Sequence, residues 1–394
     1  MLKSMLKKSV LALALLVWVA PSLAPAQDVA SSEPWSVRMA ESVMERNPEF
    51  MDEWHYEVGV MLKAFNELHE RTGEEQYWDY VKMNIDRFVQ EDGSIRTYTI
   101  EEYNVDNITP GKLLFPLYEE TGDERYRRAA DTLREQLHGH PRTSEGGFWH
   151  KEIYPHQLWL DGVYMMGPFL ARYGQEFDEP EAIDETAKEI LLVSRYMRDP
   201  ETGLYYHGWD ESRQQRWADN LTGLSKNFWG RGMGWYGMAL VDALDYIPED
   251  HPDRGAIIRV LQKYAEAVSN VQDPVTGLWY QILDKPTRAE NYLEASVSSM
   301  FTYTLAKGVR EGYLDDEYLA VARRAHDGIV EEFIEVTDDG LVNLCCTVIV
   351  GGLGGDPYRD GTFKYYMSEP LRVNDNKGVG PFIMASMQLE ALAE

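Results

Sequence analysis

Hydrophobic positions recur at helical spacing along most of the chain. Apolar residues repeat near i, i+3, i+4 and i+7, and Gly, Pro or Asn-Pro marks the ends of these segments. No run of alternating strand residues stands out. We therefore expect an all-α protein, with helices at 58–71, 76–90, 113–122, 124–139, 161–173, 182–197, 234–246, 253–271, 294–311, 316–333 and 378–392.

A glycine-containing loop recurs between the predicted helix pairs. Its copies lie at 91–95, 144–149, 199–206, 273–280 and 338–342. They are spaced by roughly 55 to 75 residues, which is one helical hairpin plus a loop. With an opening hairpin near Trp54, the chain contains about six units. Six hairpins closed into a ring predict an (α/α)6 barrel, with a pocket at one end where the loops enter the inner helices.

Residues 1–26 have the pattern of a secretory signal peptide. Three lysines precede an apolar run at 10–20, which is too short to span a bilayer, and Ala24-Pro25-Ala26 is a typical cleavage signal. We expect cleavage near Ala26/Gln27 and export to the periplasm or the medium. Residues 27–394 contain no linker or shift in composition, which predicts a single catalytic domain.

Charge and cysteine content exclude several classes of partner. Removing residues 1–26 takes away three lysines and no acids, which changes the net charge from −28 to −31. We therefore expect neither nucleic acid nor an anionic membrane as a partner. The adjacent Cys345 and Cys346 predict two buried thiols rather than a disulfide framework or a metal site. We expect a monomer or a homodimer.

Aromatic residues are abundant in the recurring loops. The chain has 11 Trp and 24 Tyr. Flat aromatic rings pack against the C–H faces of sugars, while ordinary core packing is the alternative for any single ring. Their clustering in equivalent loops favours a sugar pocket.

Two carboxylates are the first candidates for chemistry. Asp106 and Asp161 lie 55 residues apart, one repeat, which predicts equivalent places on neighbouring inner helices. Paired carboxylates carry out glycoside hydrolysis, and their mutual repulsion keeps one protonated near neutral pH. Asp161 lies in the apolar run 156–166. The structural alternatives are a helix N-cap for Asp106 and a buried ion pair with Arg or Lys for Asp161.

A third junction adds basic and aromatic candidates. His207 directly follows the recurring loop 199–206. The alternative to a functional role for His207 is a structural one. Trp229, Arg231 and Trp235 follow among glycines in 227–237. An arginine beside two tryptophans suits a bound carboxylate or sugar hydroxyls. Neither a G-x-x-x-x-G-K-[ST] phosphate loop nor a G-x-S-x-G motif is present.

A set of motifs resembles the unsaturated glucuronyl/rhamnogalacturonyl hydrolases, glycoside hydrolase family 105 and the related family 88. The motifs run in family order across nearly all of residues 27–394. They are YNVDNITPG, GGFWHK, QLWLDGVYM, TGLYYHGWD, FWGRGMGWYGMALVD and NDNKGVGPFIMAS.

The resemblance implies an (α/α)6 barrel that needs no metal or organic cofactor. It implies a short oligosaccharide substrate left by a polysaccharide lyase, with a 4,5-unsaturated uronic acid at its non-reducing end. Asp161 would protonate C4, water would add at C5, and Asp106 would be the second pocket carboxylate. The implied substrate-binding residues are Tyr56, His150, Lys151, Trp159, His207, Trp229, Arg231 and Trp235, with Lys377 as a further wall residue.

Alternatives remain open at this point. The substrate could be unsaturated galacturonyl-rhamnose from rhamnogalacturonan I or unsaturated glucuronyl-rhamnose from ulvan. Two other functions fit the same residues. One is an ordinary inverting (α/α)6 glycoside hydrolase, and the other is a catalytically inactive sugar-binding barrel.

Overall fold

The computed structural model describes residues 33–50 and 52–393. The predicted signal peptide and its cleavage point lie outside these residues. Two short 3₁₀ helices cover Ile100–Glu102 and Val105–Leu113. The α-helices are α1 (Trp35–Arg46), α2 (Tyr56–Thr72), α3 (Glu75–Asp86), α4 (Leu114–Thr121), α5 (Glu124–Gly139), α6 (Leu160–Glu176), α7 (Pro180–Met197), α8 (Gly230–Ala243), α9 (Arg254–Asn270), α10 (Ala295–Arg310), α11 (Glu317–Glu332), α12 (Phe363–Ser368) and α13 (Asn376–Ala391).

Six helical segments form a closed inner ring. Around the ring, α2 packs on the 3₁₀ helix Val105–Leu113, which packs on α6, and α8, α10 and α13 follow until α13 packs on α2. Each inner segment carries an outer helix: α3 lies on α2, α5 on α4, α7 on α6, α9 on α8, α11 on α10 and α1 on α13. The predicted all-α (α/α)6 barrel is confirmed, and the eleven predicted helices correspond to eleven of these twelve positions.

The sequence pattern missed helix α1, which joins the last helix to form the sixth pair. Two serines on its buried face read as polar positions in the pattern. Ser36 Oγ donates to Glu390 Oε2 at 2.6 Å, and Ser42 Oγ accepts from Val342 N at 2.8 Å. Because both hydroxyls have partners, the face can be buried without apolar periodicity. The barrel thus closes by the pairing of α1 with α13.

Three pairs of very short antiparallel strands complete the described structure. They are β1 (Gln157–Trp159) with β2 (Gly208–Asp210), β3 (Ile334–Val336) with β4 (Val342–Leu344), and β5 (Thr347–Val348) with β6 (Leu371–Arg372). Strands of two or three residues carry no alternation that a sequence pattern could reveal. The cysteines that follow β4 are free, as expected, but half-buried rather than buried.

A buried ionic cluster holds the inner helices together away from the predicted pocket. Asp242 Oδ1 lies 2.8 Å from Lys307 Nζ and accepts from the Tyr303 hydroxyl at 2.7 Å, and Asp242 Oδ2 lies 3.2 Å from Lys63 Nζ. Burial opposes ionisation of Asp242, but the two lysines outweigh it, so its pKa lies below the ordinary value. The cluster ties α2, α8 and α10 to one another.

None of the helices within the described residues is both long and apolar enough to cross a membrane.

Glu189 on α7 is a buried carboxylate that anchors the loop ahead of His150. Its Oε2 accepts from the backbone N–H of Phe148 at 3.1 Å. Burial raises the pKa of Glu189 from 4.5 to about 7. The folded protein therefore binds a proton there that the unfolded chain releases as the pH rises from 4.5 to 7. Stability falls across that window and is not regained above it.

We predict that Glu189→Gln removes this pH dependence, because an amide oxygen can still accept from Phe148 N but does not ionise. At pH 8 the variant should be more stable than the wild type by about 1–3 kcal/mol, with little difference near pH 4.5. Urea unfolding at both pH values measures this, with the exposed Glu135→Gln as a matched control. Equal effects of Glu189→Gln at the two pH values would contradict the prediction.

Candidate active site

A pocket of about 330 Å³ opens where the inner helices begin. Its wall combines the starts of inner helices, the loop before β1 and the segment 349–372. The lining residues are His55, Tyr56, Glu57, Asp106, His150, Lys151, Tyr154, Trp159, Asp161, Met165, Trp229, Arg231, Trp235, Ile349, Val350, Gly351, Arg359 and Arg372. Of the predicted site residues, only His207 and Lys377 are absent from this lining.

The second residue of every inner segment belongs to the pocket or contacts it. These six residues are Glu57, Asp106, Asp161, Arg231, Ser296 and Lys377. Lys377 Nζ donates to Glu57 Oε1 at 2.6 Å, and Ser296 Oγ lies 3.5 Å from Arg231 Nη1. The N-terminal ends of the six inner segments therefore surround the pocket, and their helix dipoles favour negative charge there.

Asp106 is held as an ion pair. Its Oδ2 lies 2.6 Å from Lys151 Nζ, and its Oδ1 lies 3.4 Å from His150 Nε2. Its backbone N–H donates to Asn104 Oδ1 at 3.1 Å, so Asn104 is the helix cap. The alternative role of Asp106 as an N-cap is therefore wrong.

These contacts fix the charge states around Asp106. Burial opposes ionisation of its carboxyl, but Lys151 and His150 outweigh burial, so the pKa of Asp106 lies below its ordinary value. Burial lowers the pKa of His150 from 6.5 to about 4 in spite of the nearby Asp106. At neutral pH, Asp106 is a carboxylate beside an uncharged imidazole.

Asp161 has a different environment. Among the described residues no Arg or Lys lies within ion-pair distance of it, so the predicted alternative of a buried ion pair with Arg or Lys is wrong. Its Oδ2 lies 3.3 Å from His207 Nε2, yet both atoms are buried and neither makes a hydrogen bond. Because Oδ2 is shielded, Oδ1 is the oxygen through which Asp161 faces the pocket.

His207 lies behind Asp161 rather than on the pocket surface. It has no solvent exposure, and its Nδ1 lies 2.7 Å from the hydroxyl of Tyr366 on α12. The loop that carries it pairs with the start of α6, where the His207 carbonyl accepts from Leu160 N at 3.1 Å. The structure thus places His207 next to a candidate catalytic group instead of among the groups that a sugar would touch.

Arg231 is a buried cation without an acidic partner among the described residues. It is 1 % exposed, and its Nη1 donates to the Val348 carbonyl. Its Nε has no hydrogen-bond partner, and within the described part of the chain no carboxylate lies at ion-pair distance. A guanidinium that lines a pocket without an acidic partner can bind a planar carboxylate from a ligand.

The predicted tryptophans build the wall more than they expose faces to the pocket. Trp159, Trp229 and Trp235 are 5 %, 1 % and 1 % exposed. Trp229 packs so closely on Gly351 that a Cβ at that position would lie 2.3 Å from the indole ring. Half-buried Tyr56, whose ring meets Trp235 edge-on at 6.2 Å, leaves more surface for a ligand.

Several lining residues were not foreseen from the sequence. His55 and Glu57 flank the predicted Tyr56, while Tyr154 and Arg359 meet across the pocket, with Arg359 Nη2 donating to the Tyr154 hydroxyl at 2.7 Å. Glu57 could have been found from its place at the start of α2, which is equivalent to Asp106. Arg359 lies in the connection between β5 and β6, which has no counterpart in the recurring loops.

The chemistry of this pocket follows from its asymmetry. One carboxylate is paired with a lysine. The other has an open oxygen and no cationic partner, and a guanidinium without an acidic partner lies in the same wall. Such a site can bind an anionic sugar and exchange a proton with it. Among the described residues no three His, Cys, Asp or Glu side chains are grouped to hold a metal ion.

Comparison with known proteins agrees with the motif resemblance. The model of Glycosyl Hydrolase Family 88 matches residues 35–393. A solved family 105 glycoside hydrolase of Clostridium acetobutylicum superposes with a TM-score of 0.89 at 46 % identity, covering 91 % of this chain and 100 % of that one.

Two curated relatives are named for an enzymatic activity. The unsaturated rhamnogalacturonyl hydrolase YesR of Bacillus subtilis is 30 % identical over 285 residues, which is 71 % of this chain and 77 % of the relative. An unsaturated 3S-rhamnoglycuronyl hydrolase of Alteromonas sp. is 28 % identical over 210 residues, covering 53 % and 48 %. With the family model matched over nearly the whole described structure, the chain belongs to Glycosyl Hydrolase Family 88 and is a glycoside hydrolase.

Proposed function

We propose that the protein removes a 4,5-unsaturated uronic acid from the non-reducing end of lyase-generated oligosaccharides by hydrating its C4=C5 bond. The observation that carries the proposal is the contrast between the two aspartates. Asp106 is tied to Lys151, whereas Asp161 has an open oxygen and no cationic partner. A carboxyl that a lysine keeps ionised is a poor proton donor, so Asp161 is the proposed donor.

The proposed reaction begins with proton transfer to carbon. Asp161 gives its proton to C4, and the π electrons of the C4=C5 bond form the new C–H bond. The positive charge left at C5 is shared with the ring oxygen. Water then adds at C5 and loses its proton to the Asp161 carboxylate, which restores the acid. The resulting hemiketal opens, and the glycosidic bond is lost with it.

Asp106 has a separate role in this proposal. Its lowered pKa keeps it ionised near neutral pH, so it is unsuited to donate a proton there. A fixed negative charge near the sugar ring stabilises the positive charge that develops at C5. It also holds Lys151 and His150 in the wall, where they can contact substrate hydroxyls.

Arg231 is the proposed partner of the substrate's C6 carboxylate. Its place in the pocket lining and its lack of an acidic partner among the described residues support this role. A carboxylate bound there stays conjugated to the C4=C5 bond that Asp161 protonates. Tyr56, Trp159, Trp229 and Trp235 would shape the surrounding wall.

Rhamnogalacturonan-derived substrates are the first candidates. The relative named for rhamnogalacturonyl substrates aligns over 77 % of its length, against 48 % and 58 % for two relatives named unsaturated 3S-rhamnoglycuronyl hydrolase. We therefore propose unsaturated galacturonyl-rhamnose as the preferred substrate, with the ulvan-derived disaccharide as the second candidate.

The direct test is loss of the ultraviolet absorbance of the conjugated double bond. The protein is incubated with lyase-digested rhamnogalacturonan and, separately, with lyase-digested ulvan. Faster loss with the first digest supports the proposed preference. No loss with either, together with release of reducing sugar from an intact glucan, would instead identify an ordinary inverting hydrolase. Tight binding without turnover would identify a sugar-binding barrel.

Export is a further part of the proposal, based on the pattern of residues 1–26. Mass spectrometry of the protein recovered from the periplasm or medium should find an N-terminus near Gln27. Recovery with residues 1–26 intact inside the cell would contradict it.

We predict that Asp161→Asn lowers kcat by about 10²–10⁴-fold, because an amide cannot supply the proton, while KM and the unfolding midpoint change little. Steady-state kinetics on the unsaturated disaccharide measures this, with the exposed Asp338→Asn as the control. A folded Asp161→Asn protein that keeps more than about a tenth of wild-type turnover would refute the assignment.

A second prediction concerns Lys151. In Lys151→Gln the ion pair that lowers the pKa of Asp106 is lost, so Asp106 becomes protonated at a higher pH. The acid limb of the kcat/KM profile should therefore move to higher pH. His55 and His150 also face Asp106, and Lys151→Arg retains the charge, so that variant should keep the wild-type limb. An unmoved limb in Lys151→Gln would show that ionised Asp106 is not required.

A third prediction concerns Arg231. Arg231→Lys keeps the charge but loses the planar pair of donors, so KM should rise about tenfold or more. Comparing the natural substrate with its C6 methyl ester separates carboxylate binding from general damage. The wild type should prefer the acid, and Arg231→Lys should lose much of that preference. An unchanged preference would place the carboxylate elsewhere.

A further inference from the structure

A buried chain of polar groups leads from Asp161 away from the pocket. His207 Nε2 lies 3.3 Å from Asp161 Oδ2, and His207 Nδ1 lies 2.7 Å from the Tyr366 hydroxyl. Both His207 and Tyr366 have no solvent exposure. Neither has a direct place in the lining of the pocket. The reaction described above uses neither of them.

The direction of the Tyr366–His207 hydrogen bond can be derived. Among the described residues, His207 Nδ1 is the hydrogen-bond partner found for the Tyr366 hydroxyl. Burial raises the pKa of Tyr366 well above its ordinary value, so the hydroxyl keeps its hydrogen. Because a buried O–H without an acceptor is costly and Nδ1 is the acceptor within reach, the hydroxyl donates to Nδ1. A nitrogen that accepts this hydrogen bond carries no hydrogen itself. The hydrogen of the imidazole is then on Nε2, the atom that faces Asp161.

We infer that Tyr366 is a positioning residue that fixes His207 with its hydrogen on Nε2, and that this N–H directs the proton of Asp161 to the pocket-facing Oδ1. The inference rests on the proposed function of Asp161 as the proton donor. His207 Nε2 and Asp161 Oδ2 lie 3.3 Å apart without forming a hydrogen bond in this structure, but a hydrogen on Nε2 at that distance disfavours a second hydrogen on Oδ2. The carboxyl proton is therefore on Oδ1, the oxygen that a substrate can reach.

The same N–H acts during the reaction. When Oδ1 gives its proton to C4, the negative charge that appears is shared between both carboxylate oxygens. The charge on Oδ2 is stabilised by the Nε2–H of His207, which keeps its hydrogen throughout. When water adds at C5, its proton returns to the carboxylate. Neither His207 nor Tyr366 gains or loses a proton over the cycle.

Removing the Tyr366 hydroxyl should release the imidazole. In Tyr366→Phe, His207 can place its hydrogen on Nδ1 and offer a lone pair at Nε2 to Asp161. That lone pair holds the carboxyl proton on Oδ2, away from the substrate and more tightly. We expect kcat to fall about 10-fold or more with KM within about twofold, a size typical of groups that orient a reacting residue. The basic limb of the kcat profile should move to higher pH.

Other charged groups around this chain stay in place in the variant and do not account for such a change. They are His150, with Asp106 and Lys151 beyond it, and Tyr365, Arg359 and Asp360 near Tyr366. Tyr264→Phe is the matched control, because it removes an equally buried tyrosine hydroxyl that donates to the Met233 carbonyl at 2.7 Å on the far side of α8. It should leave kcat and the pH profile unchanged.

A merely structural role for Tyr366 is the competing explanation, since its ring also stacks on Trp229 with the centroids 6.0 Å apart. A double-mutant cycle separates the two. In His207→Gln the amide group has a fixed N–H donor, so the Tyr366 hydroxyl has no tautomer to select. Adding Tyr366→Phe to His207→Gln should therefore change kcat by less than about twofold. The same fold-loss in both backgrounds, or an unmoved pH limb in Tyr366→Phe, would overturn the inference.

Histidine-labelled ¹⁵N NMR of the wild-type protein tests the tautomer without any reaction, with His207→Gln identifying the signal. A hydrogen on Nε2 supports the inference, and a hydrogen on Nδ1 overturns it even if Tyr366→Phe fails to fold. This measurement needs no substrate. A wild-type protein that is inactive on both digests would therefore refute the proposed function, while the NMR result would still decide which nitrogen of His207 carries the hydrogen.

Discussion

The different partners of two equivalent carboxylates are the feature on which this site depends. Asp106 and Asp161 are each the second residue of an inner helical segment, and each has a histidine within 3.4 Å. A lysine is paired with Asp106 alone, and it lowers the pKa of Asp106. One helix start thus provides a carboxylate paired with a lysine, and its neighbour provides a carboxyl without a cationic partner.

The barrel makes this arrangement possible because its six inner segments begin at the same end. The positive ends of their helix dipoles favour anions there, which suits Glu57, Asp106 and Asp161 as well as an acidic sugar. Deeper in the barrel, Lys63 and Lys307 pair with Asp242 and join the inner helices to one another. The ion pairs that join the inner helices therefore lie at a different level of the barrel from the pocket.

Repetition made most of this predictable from the sequence. The 55-residue spacing placed Asp106 and Asp161 correctly on neighbouring helices, and the recurring loops predicted the barrel. Helix α1 was missed because Ser36 and Ser42 on its buried face depend on hydrogen bonds formed by distant residues. Arg359 and Tyr366 were missed for a similar reason, since they come from the segment after β5, which lies outside the repeat and reaches the site only through the fold.

The most direct test of the central claim is NMR of the product formed from the unsaturated disaccharide in D₂O. If Asp161 protonates C4, early product should carry one deuterium at C4 in a single stereochemical position, and Asp161→Asn should form almost none. Release of the unsaturated sugar with its double bond intact, or deuterium spread over both C4 positions, would contradict the account. Either result would mean that the glycosidic bond is cleaved first and the double bond is lost later without the enzyme.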